Sequence, residues 1–270
     1  MWPPGSRAAM ALTVDFDAEE IWLAEDPANA ARPGVLSQAR YGVERALPEI
    51  LDILSRLDVP ATFFVCGGDA ERHPRAVESI VARGHELGHH GFTHRSPHLM
   101  SRDEEADELG RGLDVLRRFA PRIRGYRSPS WDTSPNTLDL LVEQGLDYAS
   151  NLMDATAPYR HPAHHIAELP VHWILDDAPH FWFDTSSWDR TIRSAREVAE
   201  LWQEECDAVH DQGGLAVLTV HPQIIGRPGR LRMLERFLAA LRADDGIWFA
   251  RGAEIADRAH AATPAPAETS

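Results

Sequence analysis

The chain has 270 residues, of which 43% are hydrophobic and 26% charged, so its length and composition are those of a globular protein with a buried core. Its 42 acidic and 27 basic residues give a formal net charge of -15, which argues against nucleic acid or an anionic membrane as partner. All 27 basic residues are arginines, and the absence of lysine excludes Schiff-base chemistry and a phosphate-loop lysine.

The N-terminal segment contains an apolar run that is too short for the hydrophobic region of a signal peptide, and no later run has the length of a membrane span. The two cysteines, Cys66 and Cys206, stand far apart and outside any CxxC pattern. This spacing favours reduced, packed thiols over a disulfide framework or a thiolate zinc site. We therefore expect a cytoplasmic protein that does not bind membranes.

Apolar, β-branched segments alternate with helical patterns along the whole chain, which predicts an α/β fold with a parallel sheet or barrel and helices outside it. The predicted strands span residues 10–16, 60–66, 85–90, 123–128, 145–151, 168–174, 214–221 and 246–250. The predicted helices span about residues 43–57, 72–83, 101–119, 135–144, 194–212 and 229–243. One helix opens with a capping box, Ser101 to Glu104, and Pro48 is expected in the opening turn of another or at a kink.

The chain contains no internal repeat and no linker rich enough in glycine or serine to divide it, so one domain over residues 1–260 is the simplest organisation. The Pro/Ala-rich tail, residues 261–270, is expected to be disordered. Two long irregular segments, residues 152–167 and 175–190, are of the kind that is often functional in a compact domain.

The first strand, MALTVDF, ends in two carboxylates, Asp15 and Asp17. Alternation along a strand places both on the same side, a few ångströms apart, at the carboxyl edge where catalytic groups of parallel sheets gather. Aspartate is also common in solvated turns after strands, so this pair alone does not decide between a site and a turn.

The stretch GHELGHHGFTHRSPH, residues 84–98, holds five of the 14 histidines. A His-x3-His pair can bind one metal ion when the residues between make a helical turn. Spacing leaves three pairs open, 85/89, 90/94 and 94/98, and the position at the end of a strand favours His90 and His94. A lone histidine in such a stretch is more often a hydrogen-bonded structural residue.

Two further strand ends carry residues with catalytic potential. Arg127 and Trp131 close one strand in RGYRSPSW, where an arginine can hold a carboxylate and lower its pKa or make an ordinary surface ion pair. His221 ends the apolar strand LAVLTVH and is a candidate general acid or base. Asp176 and Asp177, in WILDDAP, either orient this histidine or are simply exposed.

The joint pattern of these five segments, in this chain order, resembles the five motifs of the polysaccharide deacetylase family, also called the NodB-homology domain or carbohydrate esterase family four. The likeness extends from about Trp2 to about Ala256 and includes VPATFFVCGG and ARGHELGHHGFTH. The D-x-D-x-E opening, the intact HGFTH and the WILDDAP and VHPQ phrases are most similar to the branch with cytoplasmic peptidoglycan-deacetylase-like proteins, cyclic imidases and allantoinase-like enzymes.

The resemblance implies a distorted (β/α) barrel of about seven strands and a hydrolase of acyl C–N bonds. It makes Asp17, His90 and His94 the ligands of one divalent metal ion. It makes Asp15 the general base, Arg127 the group that orients this base, and His221 the general acid.

Other residues match the family less closely. The resemblance implies pocket positions for Trp131, Trp173 and Asp177. It leaves His85 and His89 outside the ligand set, and His98 is expected at the rim of the site.

Two imidazoles and one carboxylate on a divalent ion leave positions open for water and a substrate carbonyl, and zinc is the default, with cobalt, nickel or iron as alternatives. We expect a sugar or small-molecule substrate and a homo-oligomer. The aromatic residues and histidines of segment 152–190 are expected to close over the metal and to favour a small amide or cyclic imide. These residues are Tyr159, His161, His164, His165, Phe181, Trp182 and Phe183.

Removal of acetyl groups from N-acyl sugars or related small amides is thus the main functional hypothesis, with hydrolysis of a cyclic imide or ureide as its alternative. A non-catalytic metal-binding barrel is a third possibility, since a fold does not fix a function. A non-haem iron oxygenase uses a similar ligand set, but its usual His-x-Asp order is absent and its usual fold is a β-sandwich.

Overall fold

A curled, mostly parallel sheet lies at the centre of the protein. The computed structural model describes residues 1–183 and 191–262. In these residues the sheet has nine strands, β1 (Ala8–Phe16), β2 (Ala61–Val65), β3 (Glu86–His89), β4 (Gly125–Tyr126), β5 (Tyr148–Ala149), β6 (Tyr159–Arg160), β7 (Ala167–Glu168), β8 (Leu215–Val220) and β9 (Ile247–Phe249). Their order is β6-β7-β5-β4-β3-β2-β1-β8, and β9 also pairs with β1. Every described pair except β6 with β7 is parallel.

The longest described strand, β1, lies between β2 and β8. All nine of its residues are buried, as the near-continuous apolar sequence AAMALTV predicts for a parallel strand covered on both faces. Leu12 to Phe16 pair with β2, and β9 pairs with the start of the strand from Ala8 to Met10. The other edge of β1 pairs with β8. The carboxyl end of β1 is therefore enclosed by neighbouring strands.

An irregular segment, residues 169–177, leads from β7 to β8 and so brings the two ends of the sheet together. At one end, the backbone N–H of Leu169 donates to the carbonyl of Ala149, and at the other, the N–H of Asp177 donates to the carbonyl of Thr219. The predicted strand 168–174 is therefore mostly not a strand, because Pro170 has no N–H to continue the ladder. This closure explains why the sheet curls into a distorted barrel, as predicted.

Helices cover the outside of the sheet. The described α-helices are α1 (Glu20–Glu25), α2 (Pro33–Tyr41), α3 (Leu47–Leu57), α4 (Gly67–Arg72), α5 (Pro74–Ala82), α6 (Arg102–Leu116), α7 (Thr137–Glu143), α8 (Ala178–Phe181), α9 (Ala195–Asp211), α10 (Pro222–Ile225), α11 (Pro228–Arg242) and α12 (Gly252–Ala262). The capping box at Ser101 and Glu104 is present at the start of α6, and Pro48 lies in the first turn of α3, as predicted. A π-helical turn, Gly42–Ala46, links α2 to α3.

The predicted α/β fold is confirmed, and it differs from the β-sandwich that is usual for the oxygenase alternative. No helix within residues 1–183 and 191–262 is long and apolar enough to cross a membrane. The last described helix, α12, extends through Ala262 and so takes up the first two residues of the predicted tail. The rest of that tail lies outside the described residues.

Candidate metal centre and active site

The candidate site lies at the carboxyl end of β1. Asp15 is the penultimate residue of the strand, and Asp17 follows its last residue. Their exposed fractions are 2% and 0%, so neither carboxylate is the solvated turn residue that the sequence left open. A buried carboxylate needs a cation or hydrogen-bond donors, and the two aspartates meet this need in different ways.

Arg127 pairs with Asp15. The guanidinium is fully buried, and its Nη1 lies 2.8 Å from Oδ1 of Asp15. Thr13, Ser150 and Thr219 hold the rest of the guanidinium by hydrogen bonds of 2.7 to 3.3 Å. Burial by itself raises the pKa of Asp15, but Arg127 and the neighbouring histidines outweigh it, so the pKa is lowered. Asp15 is therefore ionised at neutral pH.

Asp17, His90 and His94 converge as a group. One ligand atom from each lies within 4.8 Å of the others, and Nε2 of His94 is 3.5 Å from Oδ2 of Asp17. Nδ1 of His90 donates to the carbonyl of Arg127 at 2.8 Å, which leaves its Nε2 as the free nitrogen. Burial lowers the pKa of both histidines, so both rings are neutral with a lone pair available.

The residues of this group fit a metal ion. Oδ2 of Asp17 is buried and has no hydrogen-bond partner within the described part of the chain. An orphaned carboxylate oxygen is costly unless a cation meets it, and burial accordingly raises the pKa of Asp17. Together with two neutral imidazoles, this oxygen makes a donor set typical of zinc and similar divalent ions.

The loop from His90 to His94 is not the helical turn that the His-x3-His spacing suggested. Gly91 and His94 have positive φ angles of 76° and 54°, and these two left-handed residues turn the chain so that the two rings lie 5.1 Å apart. The buried carboxylate of Glu108 in α6 accepts hydrogen bonds from the backbone N–H groups of Phe92 and Thr93. The strained turn is thus held by a side chain whose role no sequence motif indicated.

Gln223 is a second residue that the sequence analysis missed. Its Nε2 donates to Oδ1 of Asp17 at 2.7 Å, and the side chain is buried. This bond orients the carboxylate so that Oδ2 faces His94. The VHPQ phrase contained the residue, but no spacing rule connects a glutamine of α10 with an aspartate after β1, 206 residues away.

We expect Gln223→Leu to weaken metal binding by about 10- to 100-fold, since loss of a group that orients a ligand has effects of this size. Competition with a chromophoric chelator measures the affinity. Gln203→Leu, at a half-buried glutamine of α9, is the matched control and should bind metal like the parent protein. Equal affinity of the Gln223 and Gln203 variants would show that the amide does not orient Asp17.

His221 lies across the site from the histidine pair. Its Nδ1 is 2.6 Å from Oδ1 of Asp177, and its Nε2 is 3.9 Å from Oδ2 of Asp17. Burial lowers the pKa of His221, but Asp177 and Asp17 outweigh it, so the pKa is raised well above its usual value. Asp177 is fully buried behind His221, so it is not the exposed residue that the sequence left open.

Asp176 also lies near His221, and Asp176, Asp177 and His221 form a second convergent group. In this group Nδ1 of His221 is bonded to Asp177, and Oδ1 of Asp176 accepts from the N–H of Ala178. Burial raises the pKa of Asp176 to about 7. These internal hydrogen bonds account for the group without a second metal ion.

The remaining histidines of the stretch lie outside the group. His89 is buried, accepts from the N–H of Gly91 and contacts the carbonyl of Leu109. His85 packs on Phe63, and burial lowers its pKa to about 4. His98 is exposed and pairs with Asp132 at 2.9 Å. Among the open pairs, only 90/94 therefore has both rings beside Asp17.

Trp131 and Trp173 stack on one another, with ring centroids 4.4 Å apart. Trp131 is buried, and its ring lies 5.6 Å from the guanidinium of Arg127, whereas Trp173 is 41% exposed. The pair therefore extends from Arg127 to the surface, which is consistent with the predicted pocket positions.

The predicted closure by segment 152–190 is not seen for its first half. Tyr159 bonds to Asp154, His161 to Glu168 and His164 to Asp139, and His165 stacks on His260 of α12. None of these partners belongs to the candidate site. Trp182 stacks on Trp22 of α1, and residues 184–190 lie outside the described part of the chain.

Two cavities adjoin the site. A groove of about 750 Å³ opens beside His94, between α1 and the loop 93–96, and Trp182 and Ser130 also line it. A cavity of about 460 Å³ lies on the other side of Trp182 and reaches Gln223. A substrate thus has space on both sides of the candidate metal ligands.

Known proteins resemble this chain over most of its length. The family model for polysaccharide deacetylase matches residues 39–149. The crystal structure of a candidate polysaccharide deacetylase from Mycobacterium smegmatis is 41% identical, with a TM-score of 0.93, and the alignment covers 97% of this chain and 93% of that one. A peptidoglycan deacetylase from Helicobacter pylori is 27% identical over 278 residues, which cover 92% of this chain and 94% of the relative.

The fold is also shared with an enzyme of different activity. The crystal structure of the PuuE allantoinase matches with a TM-score of 0.83 at 23% identity, over 98% of this chain and 94% of that one. At this identity the likeness concerns the fold alone.

Proposed function

Because the chain belongs to the polysaccharide deacetylase family, hydrolases of non-peptide C–N bonds, we propose that it is a metal-dependent deacetylase acting on N-acyl sugars or related small amides. One observation supports the proposal most. The orphaned Oδ2 of Asp17 lies beside the neutral imidazoles of His90 and His94. The Asp15–Arg127 pair lies on one side of this group, and the Asp177–His221 pair lies on the other.

Asp17, His90 and His94 would hold the ion, with zinc as the first choice and cobalt, nickel or iron as alternatives. When bound, a divalent ion supplies Lewis-acid activation of the amide carbonyl and of the attacking water. The other residues of the site have the geometry for the two proton transfers that amide hydrolysis requires.

Asp15 is the proposed general base. Its Oδ1 is held by Arg127, and its Oδ2, 4.0 Å from Nε2 of His90, faces the metal ligands and accepts the proton of the attacking water. Arg127 keeps this carboxylate ionised, at some cost in basicity, and fixes its orientation. A dry site strengthens both effects, since Asp15 and Arg127 are buried.

His221 is the proposed general acid. Asp177 holds Nδ1, so the proton to be transferred is on Nε2, on the side of Asp17. The raised pKa of His221 means that the ring is protonated at neutral pH and can donate to the departing nitrogen. Base and acid thus approach the reacting amide from opposite sides of the metal ligands.

We expect His221→Ala to slow substrates with poor leaving groups more than substrates with good ones, since a good leaving group needs no protonation. Rates for a series of N-acyl anilides with ring substituents of graded acidity measure this. An acid catalyst contributes about 10²- to 10⁴-fold for the poorest leaving groups. A loss of equal size across the series would remove the acid role from His221.

We further propose a cytoplasmic, homo-oligomeric enzyme. The groove beside His94 opens to solvent, which suits a sugar as well as a small amide. The fold shared with an allantoinase keeps the hydrolysis of cyclic imides or ureides as the alternative function. The proposed general base, Asp15, and the proposed general acid, His221, both lie beside the metal ligands, which argues against a barrel that only binds metal.

The deciding experiment is a hydrolysis screen of the metal-reconstituted protein with N-acetyl sugars, muropeptides, hydantoins and succinimides. Release of acetate from the sugars supports the deacetylase proposal. Ring opening of hydantoins or succinimides without acetate release would establish the alternative. If the metal-bound protein hydrolyses none of these substrates, the remaining hypothesis is a barrel that binds metal without catalysis.

A further inference from the structure

The cavity of about 460 Å³ beyond Trp182 contains two arginines, Arg227 and Arg230. No acidic residue is among the described residues that line it, although the chain as a whole has a net charge of -15. Within residues 1–183 and 191–262, neither guanidinium lies within 4.0 Å of a carboxylate oxygen. Among the described residues, two neighbouring cations therefore have no direct ion-pair partner.

Aromatic rings fix the planes of both guanidinium groups. Cζ of Arg227 lies 4.4 Å from the ring centroid of Tyr41, and Cζ of Arg230 lies 4.3 Å from that of Phe181. Nη1 of Arg230 donates to the carbonyl of Ile224 at 2.7 Å, and its other N–H groups have no hydrogen-bond partner among the described residues. A guanidinium held flat on a ring presents its N–H edge, the geometry that carboxylates and phosphates bind in a bidentate manner.

The two guanidinium groups repel one another. Burial lowers the pKa of Arg230, and the charge of Arg227 lowers it further, against the opposing effect of Asp177. Arg230 is half-buried, so water screens this repulsion less than at an open surface. An anionic group between the guanidinium edges would relieve the repulsion.

The cavity also adjoins the reaction centre. Gln223, which lines it, bonds to Asp17 at 2.7 Å. Arg230 is close enough to lower the pKa of Asp177, the partner of His221. Trp182 lines both this cavity and the groove beside His94, so one bound molecule can contact the metal ligands and extend toward the arginines.

We propose that Arg227 and Arg230 bind a carboxylate of the substrate, so that the enzyme prefers anionic N-acyl substrates over neutral ones. This inference rests on the proposed function and names its substrate class. The acidic surface elsewhere would repel such a substrate, so the arginine pair also orients it, with the anionic group toward α11 and the amide toward Asp17.

N-acetylglucosamine and N-acetylmuramic acid test this preference, because they share the acetamido group and differ by a lactyl ether that carries a carboxylate. We expect the parent enzyme to have a kcat/KM about tenfold higher for the acid, since a charge-assisted bidentate pair contributes on this order. Arg227→Gln/Arg230→Gln should bring the ratio close to one, mainly through KM of the acid.

Arg236→Gln is the matched control, an exposed arginine on the same helix that lines neither cavity. It should keep the preference of the parent enzyme. A double variant that retains the preference, or a parent enzyme that has none, would overturn the proposal. So would a double variant that changes only the oligomeric state, because the arginines would then bind a second copy of the chain.

Binding measured apart from turnover separates this inference from the proposed function. Calorimetry on Asp15→Asn should give tighter binding of N-acetylmuramic acid than of N-acetylglucosamine, and the difference should disappear when Arg227 and Arg230 are also replaced. Inorganic phosphate should not compete at millimolar concentration; if it competes as well as the acid sugar, the site binds free anions and the proposal fails. Selective binding without acetate release would retain the subsite and refute the deacetylase.

Discussion

Asp15→Asn is expected to retain the metal ion and to lose turnover by about 10²- to 10⁴-fold, the contribution of a positioned general base. Asparagine has nearly the same shape, and its side-chain oxygen can still accept from Nη1 of Arg127, which Thr13, Ser150 and Thr219 hold independently. The substitution therefore removes the base without opening a cavity. Acetate release and elemental analysis on the same sample measure the two effects.

The control for this substitution is Asp132→Asn, at the exposed rim beside His98. It removes the same charge from the same protein and should leave turnover within about twofold, since exposed ion pairs contribute little. An active Asp15→Asn enzyme would exclude Asp15 as the base. Loss of metal together with activity would instead make Asp15 a ligand.

Asp17→Asn and His94→Ala are expected to reduce bound metal from about one ion per chain to near zero. The site has three protein ligands, and two ligands bind a divalent ion too weakly to retain it. In Asp17→Asn the oxygen that accepts from Gln223 can remain, while the orphaned Oδ2 is replaced by an amide nitrogen that cannot bind a cation. Asp17→Ala should have the same effect with the additional loss of the Gln223 bond. Elemental analysis after dialysis measures the stoichiometry.

Metal-free protein should tolerate Asp17→Asn well, because the substitution removes a buried carboxylate whose pKa is raised. A thermal melt in chelator is therefore expected to show equal or higher stability for the variant. His98→Ala is the control for His94→Ala, with the same residue type four positions along the chain, and it should bind metal like the parent. Unchanged stoichiometry in Asp17→Asn would withdraw the ligand assignment.

The sequence was sufficient to predict β1, β2 and β8. A parallel strand that is buried on both faces is an uninterrupted apolar run, and all three strands have this pattern. It was insufficient for residues 168–174, where the apolar pattern predicts a strand and Pro170 prevents one. The His-x3-His spacing likewise left three pairs open, and the helical turn that it suggested is replaced by left-handed residues at Gly91 and His94.

The sequence alone determined the α/β class and the candidate residues at the strand ends, because both follow from local patterns and from motifs of fixed order. Only the tertiary structure decided which atoms of these residues face one another. The amide of Gln223 orients Asp17, Glu108 holds the loop before His94, and Arg227 stands beside Arg230 in a cavity with no acidic residue among its described lining. Such contacts join elements that are distant in the chain, and their distances depend on how the sheet curls and where the helices pack against it.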